Sequence, residues 1–154
     1  MNLIGVHELK ADEKARILLP SALRKQLMPL LEEGFILKRS VFQKCLELYP
    51  MREWNKIMNK LNKLNRFVKK NNDFIRMYTA GVRTVDIDSN GRFLIPKDLV
   101  NYASIQSEIV LNAMGSWIEI WNKEAYESVV NNPDIDFAAL AEDVMGDLNE
   151  DEPK

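Results

Sequence analysis

The stretch Val82-Arg83-Thr84-Val85-Asp86-Ile87-Asp88-Ser89-Asn90-Gly91-Arg92-Phe93-Leu94-Ile95-Pro96 decides the fold. Residues 82–87 alternate apolar and polar side chains, the pattern of a strand with one face buried. Asp88-Ser89-Asn90-Gly91 is a turn, and Asn-Gly between two such runs is a strong hairpin signal. Arg92–Ile95 is the returning strand. Pro96 ends it and suits the first turn of a short helix reaching Leu99 and Val100. Further on, Ile109-Val110-Leu111 and Trp117-Ile118-Glu119-Ile120-Trp121 form a second strand pair about the turn Met114-Gly115-Ser116.

The same order of elements occurs earlier in the chain. Gly5, Asp12, Arg16, Pro20 and Leu23 match Gly81, Asp88, Arg92, Pro96 and Leu99 at one offset of 76 residues. Cys45-Leu46-Glu47-Leu48-Tyr49 then resembles residues 117–121 at an offset of 72, which places four extra residues of the first copy in the loop near 39–44. The copies span residues 5–52 and 81–124. A unit of about 45–50 residues buries too little apolar surface to stand alone. Two copies packed together, with strands exchanged between them, predict an α+β fold built on a pseudo-two-fold β-barrel. Trp117 and Trp121 share one strand face and are packing residues in this reading.

Residues 53–80 form a helical linker. Trp54, Ile57, Leu61, Leu64 and Val68 make one apolar stripe, and Asn71-Asn72 is the expected break before a second helix over 74–78. The basic residues on the other faces, Lys56, Lys60, Lys63, Arg66, Lys69 and Lys70, fit a solvated surface and phosphate contact equally well. Residues 125–154 are a C-terminal helix and an acidic tail. The segment from Pro133 to Lys154 holds eight acids and one lysine. A helix over 137–145 and disorder in the last few residues are expected there.

Charge is divided unevenly. The net charge is −2 over 154 residues, yet residues 1–80 carry 16 Lys/Arg against 8 Asp/Glu, and residues 81–154 carry 5 against 15. A first half of net +8 points to a polyanionic partner. Cys45 is the only cysteine and His7 the only histidine. Disulfides, cysteine-rich zinc sites and Ser-His-Asp triads therefore lack material, and His7 faces Arg83 in the repeat. Cys45 reads as a small core residue rather than a nucleophile. There is no phosphate-binding glycine motif. No cofactor, metal or catalytic residue is expected, and the chain is not read as an enzyme. No apolar run or basic leader suggests a membrane or secretory segment, so a cytoplasmic location is expected.

The doubled pattern Asp-x-x-x-Arg carries the functional reading. It occurs as Asp12-Glu13-Lys14-Ala15-Arg16 and as Asp88-Ser89-Asn90-Gly91-Arg92, at equivalent hairpin tips. The aspartates and Gly91 shape the loops by hydrogen bonding and backbone freedom. Arg16 and Arg92, with Lys14 and Asn90 beside them, are the candidate DNA contacts. A guanidinium fork suits phosphate or the O6 and N7 of guanine, and a two-stranded ribbon enters a major groove.

These features, with Leu46-Glu47-Leu48-Tyr49-Pro50, Trp54 and Ala80-Gly81, resemble the MraZ family over residues 5 to about 130. The resemblance implies two SpoVT-AbrB-like, swapped-hairpin modules and a nucleoid-associated transcriptional regulator. It also implies binding to direct repeats of double-stranded DNA upstream of the division and cell wall gene cluster, by a ring-shaped homo-oligomer. Asp12, Arg16, Asp88 and Arg92 occupy the family's motif positions. Ala15 departs from the usual glycine, and because alanine tolerates positive φ poorly, loop one is expected to differ in shape from loop two. Trp54, Phe67, Phe74 and Tyr78 are candidates for subunit contact, with burial inside the subunit as the alternative. Two competing functions are an AbrB-like antitoxin acting through the acidic tail and a ring-forming scaffold with no nucleic-acid role.

Overall fold

A computed structural model describes residues 1–150, with side chains to 148. The expected disorder of the last few residues falls on 151–154, outside the described residues. The fold is α+β. Its strands are β1 (Val6–Lys10), β2 (Arg16–Leu18), β3 (Phe35–Arg39), β4 (Leu46–Pro50), β5 (Arg83–Val85), β6 (Arg92–Leu94), β7 (Glu108–Ala113) and β8 (Ile118–Asn122). Its helices are α1 (Ser21–Leu27), α2 (Met51–Leu61), α3 (Lys69–Tyr78), α4 (Lys97–Ala103), α5 (Lys123–Val130) and α6 (Phe137–Glu150), with a 3-10 turn over Met28–Glu33.

Six strands form one antiparallel sheet in the order β1-β7-β8-β4-β3-β5, and β2 pairs with β6 in a separate two-stranded ribbon. The first strand of each copy pairs with the third strand of the other, β1 with β7 and β5 with β3. The central pairings are self-matching under the repeat. Glu47 lies opposite Glu119 between β4 and β8, and Ile17 lies opposite Phe93 between β2 and β6. A pseudo-two-fold axis therefore runs through both pairs.

The expected barrel does not close among the described residues. β1 and β5 are the edges of the six-stranded sheet, and β2 and β6 pair as strands only with each other. The chain leaves the ladder at Ala11-Asp12 and again at Asp86-Ile87-Asp88, where each aspartate bonds its own loop instead. The main core fills the space between the ribbon and the inner sheet face. Ile17, Phe93, Leu23, Leu99, Phe35, Leu37, Leu46, Leu48, Ile118 and Ile120 are buried there.

The outer sheet face is also covered, which is why β4 is buried along its whole length. Ile36, Tyr49 and Trp117 pack under α2 with Trp54, while Cys45, Val110 and Trp121 pack against α5 through Ala125 and Tyr126. Trp117 and Trp121 are thus packing residues, but on this outer face. The tryptophan rings meet tyrosines: Trp117 stacks on Tyr49 at 5.6 Å, and Trp121 meets Tyr126 at 5.9 Å.

Three boundaries differ from the sequence reading. The four extra residues of copy one are split. Phe35 pairs as Ile109 does, at an offset of 74, so two lie before β3 in the 3-10 turn and two in the loop 40–45. Pro20 and Pro96 sit at the N-cap, one residue ahead of the helices they start. The linker breaks after Leu61 rather than at Asn71-Asn72. Those two asparagines lie inside α3 and donate to the carbonyls of Asn65 and Arg66, closing the connecting loop. Leu64 and Val68 therefore do not continue the stripe of α2.

Candidate nucleic-acid interface

Each hairpin tip is built by its aspartate. Asp12 Oδ1 accepts from the N–H groups of Lys14 and Arg16 at 2.9 and 2.8 Å. Asp88 Oδ1 accepts from those of Asn90 and Arg92, both at 2.9 Å. Backbone bonds close both loops alike, Ala15 N–H to Asp12 O at 3.0 Å and Gly91 N–H to Asp88 O at 2.9 Å. Each loop also grips the other copy: Ile95 N–H donates to Ala15 O, and Leu19 N–H donates to Gly91 O. The N–H of Arg16, and its guanidinium after it, hold the Asp12 carboxyl below its usual value.

The expectation that Ala15 would alter loop one is not met. Ala15 takes φ +61, the left-handed region, as Gly91 does at φ +84. The reason the two residues differ lies next door. A Cβ on Gly91 would stand 2.8 Å from Cδ of Arg24, whose guanidinium donates to Asn90 O at 3.0 Å. The repeat places Val100 where Arg24 would be, and Val100 and Ala15 line one shallow depression with room for a methyl group.

The ribbon turns a single face outward. Ile17 and Phe93 point into the core, so Arg16, Leu18, Arg92 and Leu94 all point to solvent. Leu94 lies opposite Arg16 and Arg92 opposite Leu18. The two arginines are thus diagonal neighbours, about 7–8 Å apart and somewhat closer between their Cβ atoms. A groove of about 440 Å³ beside them is lined by Lys10, Asp12, Arg16, Leu18 and Arg92. Arg16 Nε bonds Asp12 Oδ2 at 2.6 Å, whereas Arg92 has no ion-pair partner among the described residues. Lys14 and Asn90 stand at equivalent exposed tip positions, engaged here only through their backbones.

Arg16 and Arg92 thus share the outer face of the ribbon, with Lys14 and Asn90 on the tip loops at its two ends. The sequence reading missed Lys10, Arg24 and the exposed pair Leu18 and Leu94. The leucines were legible, since they share the 76-residue offset and the strand alternation of the arginines. Lys10 and Arg24 face Asp86 and Val100 in the repeat, and no pattern marked them.

The family model described as "MraZ protein, putative antitoxin-like" matches residues 3–77 and 79–148, one segment for each copy. The chain belongs to the MraZ family. Relatives named "Transcriptional regulator MraZ" include one from Christiangramia forsetii, 59% identical over 95% of this chain and 94% of its own. One from Flavobacterium psychrophilum is 58% identical over 97% and 96%, and one from Clostridium tetani is 38% identical over 90% and 94%. The MraZ match thus covers both hairpin tips and the linker between them. Among the described residues, no helix of this MraZ-family chain is long and apolar enough to cross a membrane.

Proposed function

We propose that this chain is a sequence-specific, DNA-binding transcriptional regulator of the bacterial cytoplasm, associated with the nucleoid. It acts at direct repeats upstream of the division and cell wall genes, and it does so as a homo-oligomeric ring. The observation that carries this reading is the ribbon face. Two Asp-x-x-x-Arg loops of the same hydrogen-bonded shape set Arg16 and Arg92 as diagonal neighbours on a solvent-facing pair of strands. Two strands fit a major groove, and the forks suit guanine or phosphate. Lys14 and Asn90 extend the contact along the tips. Leu18 and Leu94 add apolar surface suited to the methyl group of thymine.

In this reading residues 5–52 and 81–124 are AbrB-like modules, the exchange of β1 and β5 is their swapped hairpin, residues 53–80 are a helical linker, and 125–154 are a helix with an acidic tail. The test is a gel shift on the chain's own upstream DNA. Losing one bidentate guanine contact costs about 1–3 kcal/mol. Arg92→Ala should therefore weaken specific binding about 5- to 150-fold per engaged subunit, with thermal melting unchanged. Unchanged affinity in the Arg16→Ala/Arg92→Ala double variant overturns the proposal.

A further inference from the structure

The C-terminal helix α6 stands away from the body of the chain. Phe137, Leu140, Val144, Met145 and Leu148 are all exposed, Phe137 to 78%. Phe137, Leu140, Val144 and Leu148 recur at spacings of 3, 4 and 4, so they form one stripe. A helix of 14 residues without tertiary packing is marginal in water. Its apolar stripe is a face that needs cover. Asp136 starts the helix properly, its side chain accepting from Ala139 N–H at 3.3 Å. Glu142, Asp143 and Asp147 flank the stripe, and α6 contains no lysine or arginine.

A complementary surface exists elsewhere on the same molecule. A cleft of about 310 Å³ lies among α3, α4 and the end of β3, lined by Arg39, Val41, Phe74, Met77, Tyr78 and Tyr102. Beside it the loop 40–45 holds Phe42 90% exposed, and on α3 Met77 is 79% exposed. The rim is cationic. Arg39 and Lys44 lie over the Tyr102 ring at 4.9 and 4.5 Å, and Arg39 Nε is buried with no hydrogen-bond partner. Lys70 stands one turn before Phe74 on the same face of α3.

We propose that α6 of one chain docks in this cleft on a second copy. The apolar stripe of α6 then lies against Val41, Phe42, Phe74 and Met77, and its carboxylates meet Arg39, Lys44 and Lys70. This is helix-in-groove recognition with anchors one turn apart. The occupant is fixed by two matches: the helix is acidic where the rim is basic, and both surfaces are apolar at their centres. The two surfaces are also far apart in the fold. α6 follows α5, which packs on β7 and β8, whereas the cleft lies at the end of β3 beside the opposite sheet edge. Each docking joins unlike surfaces, and docking that is not reciprocal closes a ring or runs on as a filament. The proposal rests on the homo-oligomer of the preceding section and names its joint.

The experiment uses full-length chains and light scattering coupled to size exclusion. The helix variant Leu140→Asp/Val144→Asp and the cleft variant Phe74→Asp/Met77→Asp each spoil one half of the joint. Wild-type chain should exceed two chain masses of 17.8 kDa, and each variant should fall to one. An equimolar mixture of the two variants keeps one good helix and one good cleft, so it should form a two-chain species and nothing larger. Circular dichroism confirms that both variants stay folded. The charge variant Asp143→Lys/Asp147→Lys should also dissociate, and Lys44→Glu/Lys70→Glu in the partner should restore association. Variants that keep the wild-type mass, a mixture that stays at one chain as it would if α6 folded into its own cleft, or a wild-type chain of one mass each overturn the proposal. DNA binding is read separately. Arg92→Ala should lose specific DNA at the wild-type mass, so failure of the joint and failure of the DNA reading are distinct results.

Discussion

The pairing of Arg24 with Gly91 makes a quantitative prediction. Gly91 at φ +84 holds a position that costs an alanine about 1–2 kcal/mol. Its Cβ would also meet Arg24 Cδ at 2.8 Å, forcing that side chain off Asn90 O. The lost bond adds about 1 kcal/mol, and the stiffer unfolded chain returns about 0.4–1 kcal/mol. Gly91→Ala should then destabilise by about 2 kcal/mol. Arg24→Val loses the same hydrogen bond and should cost about 1 kcal/mol. The double variant reproduces the Ala15 and Val100 arrangement of the other copy. Its hydrogen bond is lost once, not twice, so its cost should stay near that of Gly91→Ala alone, about 2 kcal/mol. The coupling is about 1 kcal/mol, measurable from urea midpoints at constant slope. Costs that add to within about 0.3 kcal/mol would refute the account of why one loop has glycine and the other alanine.

Three further outcomes are expected. Burial, and then the Glu119 carboxylate, push the Cys45 thiol from an ordinary value near 9.0 up to about 12; the folded state keeps its proton longer, so this stabilisation is whole below pH 9 and is lost as pH climbs towards 12, and a thiol reagent at pH 8 should label only urea-unfolded chain, whereas rapid native labelling would contradict the burial. Leu18→Ala/Leu94→Ala should leave melting nearly unchanged, because both side chains face solvent, yet erase any preference for thymine over uracil in the operator by gel shift; a preference kept intact removes the leucines from the interface. Affinity for the operator should fall steeply with salt, by about 10³–10⁵ between 50 and 200 mM if six to ten phosphates are engaged, and should drop when one repeat is deleted; equal binding to one repeat and to several would remove the need for an oligomer.

Much of this was legible because the repeat is strict where the backbone needs it. The 76-residue offset located both turns, both short helices and both tip aspartates, since each depends on a side chain or turn that few residues supply, but the strands flanking each turn pair elsewhere, β1 with β7, β5 with β3 and β2 with β6. The strand exchange was foreseen because neither copy holds enough core to fold alone. Other features followed from contacts that no local pattern records. Asn71 and Asn72 look like helix breakers, yet their side chains bond carbonyls six residues back, which moves the break to the loop before α3. Ala15 bears the strain of its positive φ, and Val100, 85 positions away in the chain, leaves its methyl group the room that Arg24 denies at Gly91. Of the four proposed contact residues on the linker, Trp54 is buried against Tyr49, while Phe67 is fully exposed. Periodicity alone could not separate them.

The two halves share a backbone and differ in charge, and that difference bears on the kind of operator the chain suits. A true two-fold dimer presents identical surfaces about its dyad, and its target mirrors that symmetry as a palindrome. Here the axis through Ile17/Phe93 relates backbones only. On one side Arg16 is held by Asp12, with Lys10 beside the ribbon. On the other Arg92 has no ion-pair partner among the described residues, Asp86 stands in place of Lys10, and Arg24 braces the tip through Asn90. In the proposed DNA contact, one ribbon would offer two unlike arginines at its two ends, which suits a short site without internal symmetry. When such units are joined head to tail, each is related to the next by rotation, and successive ribbons meet the DNA in the same sense. The site repeated in that sense is a direct repeat. The asymmetry that costs this chain its dyad thus supports the same reading as its unlike α6 and cleft, a closed array whose subunits all read one strand direction.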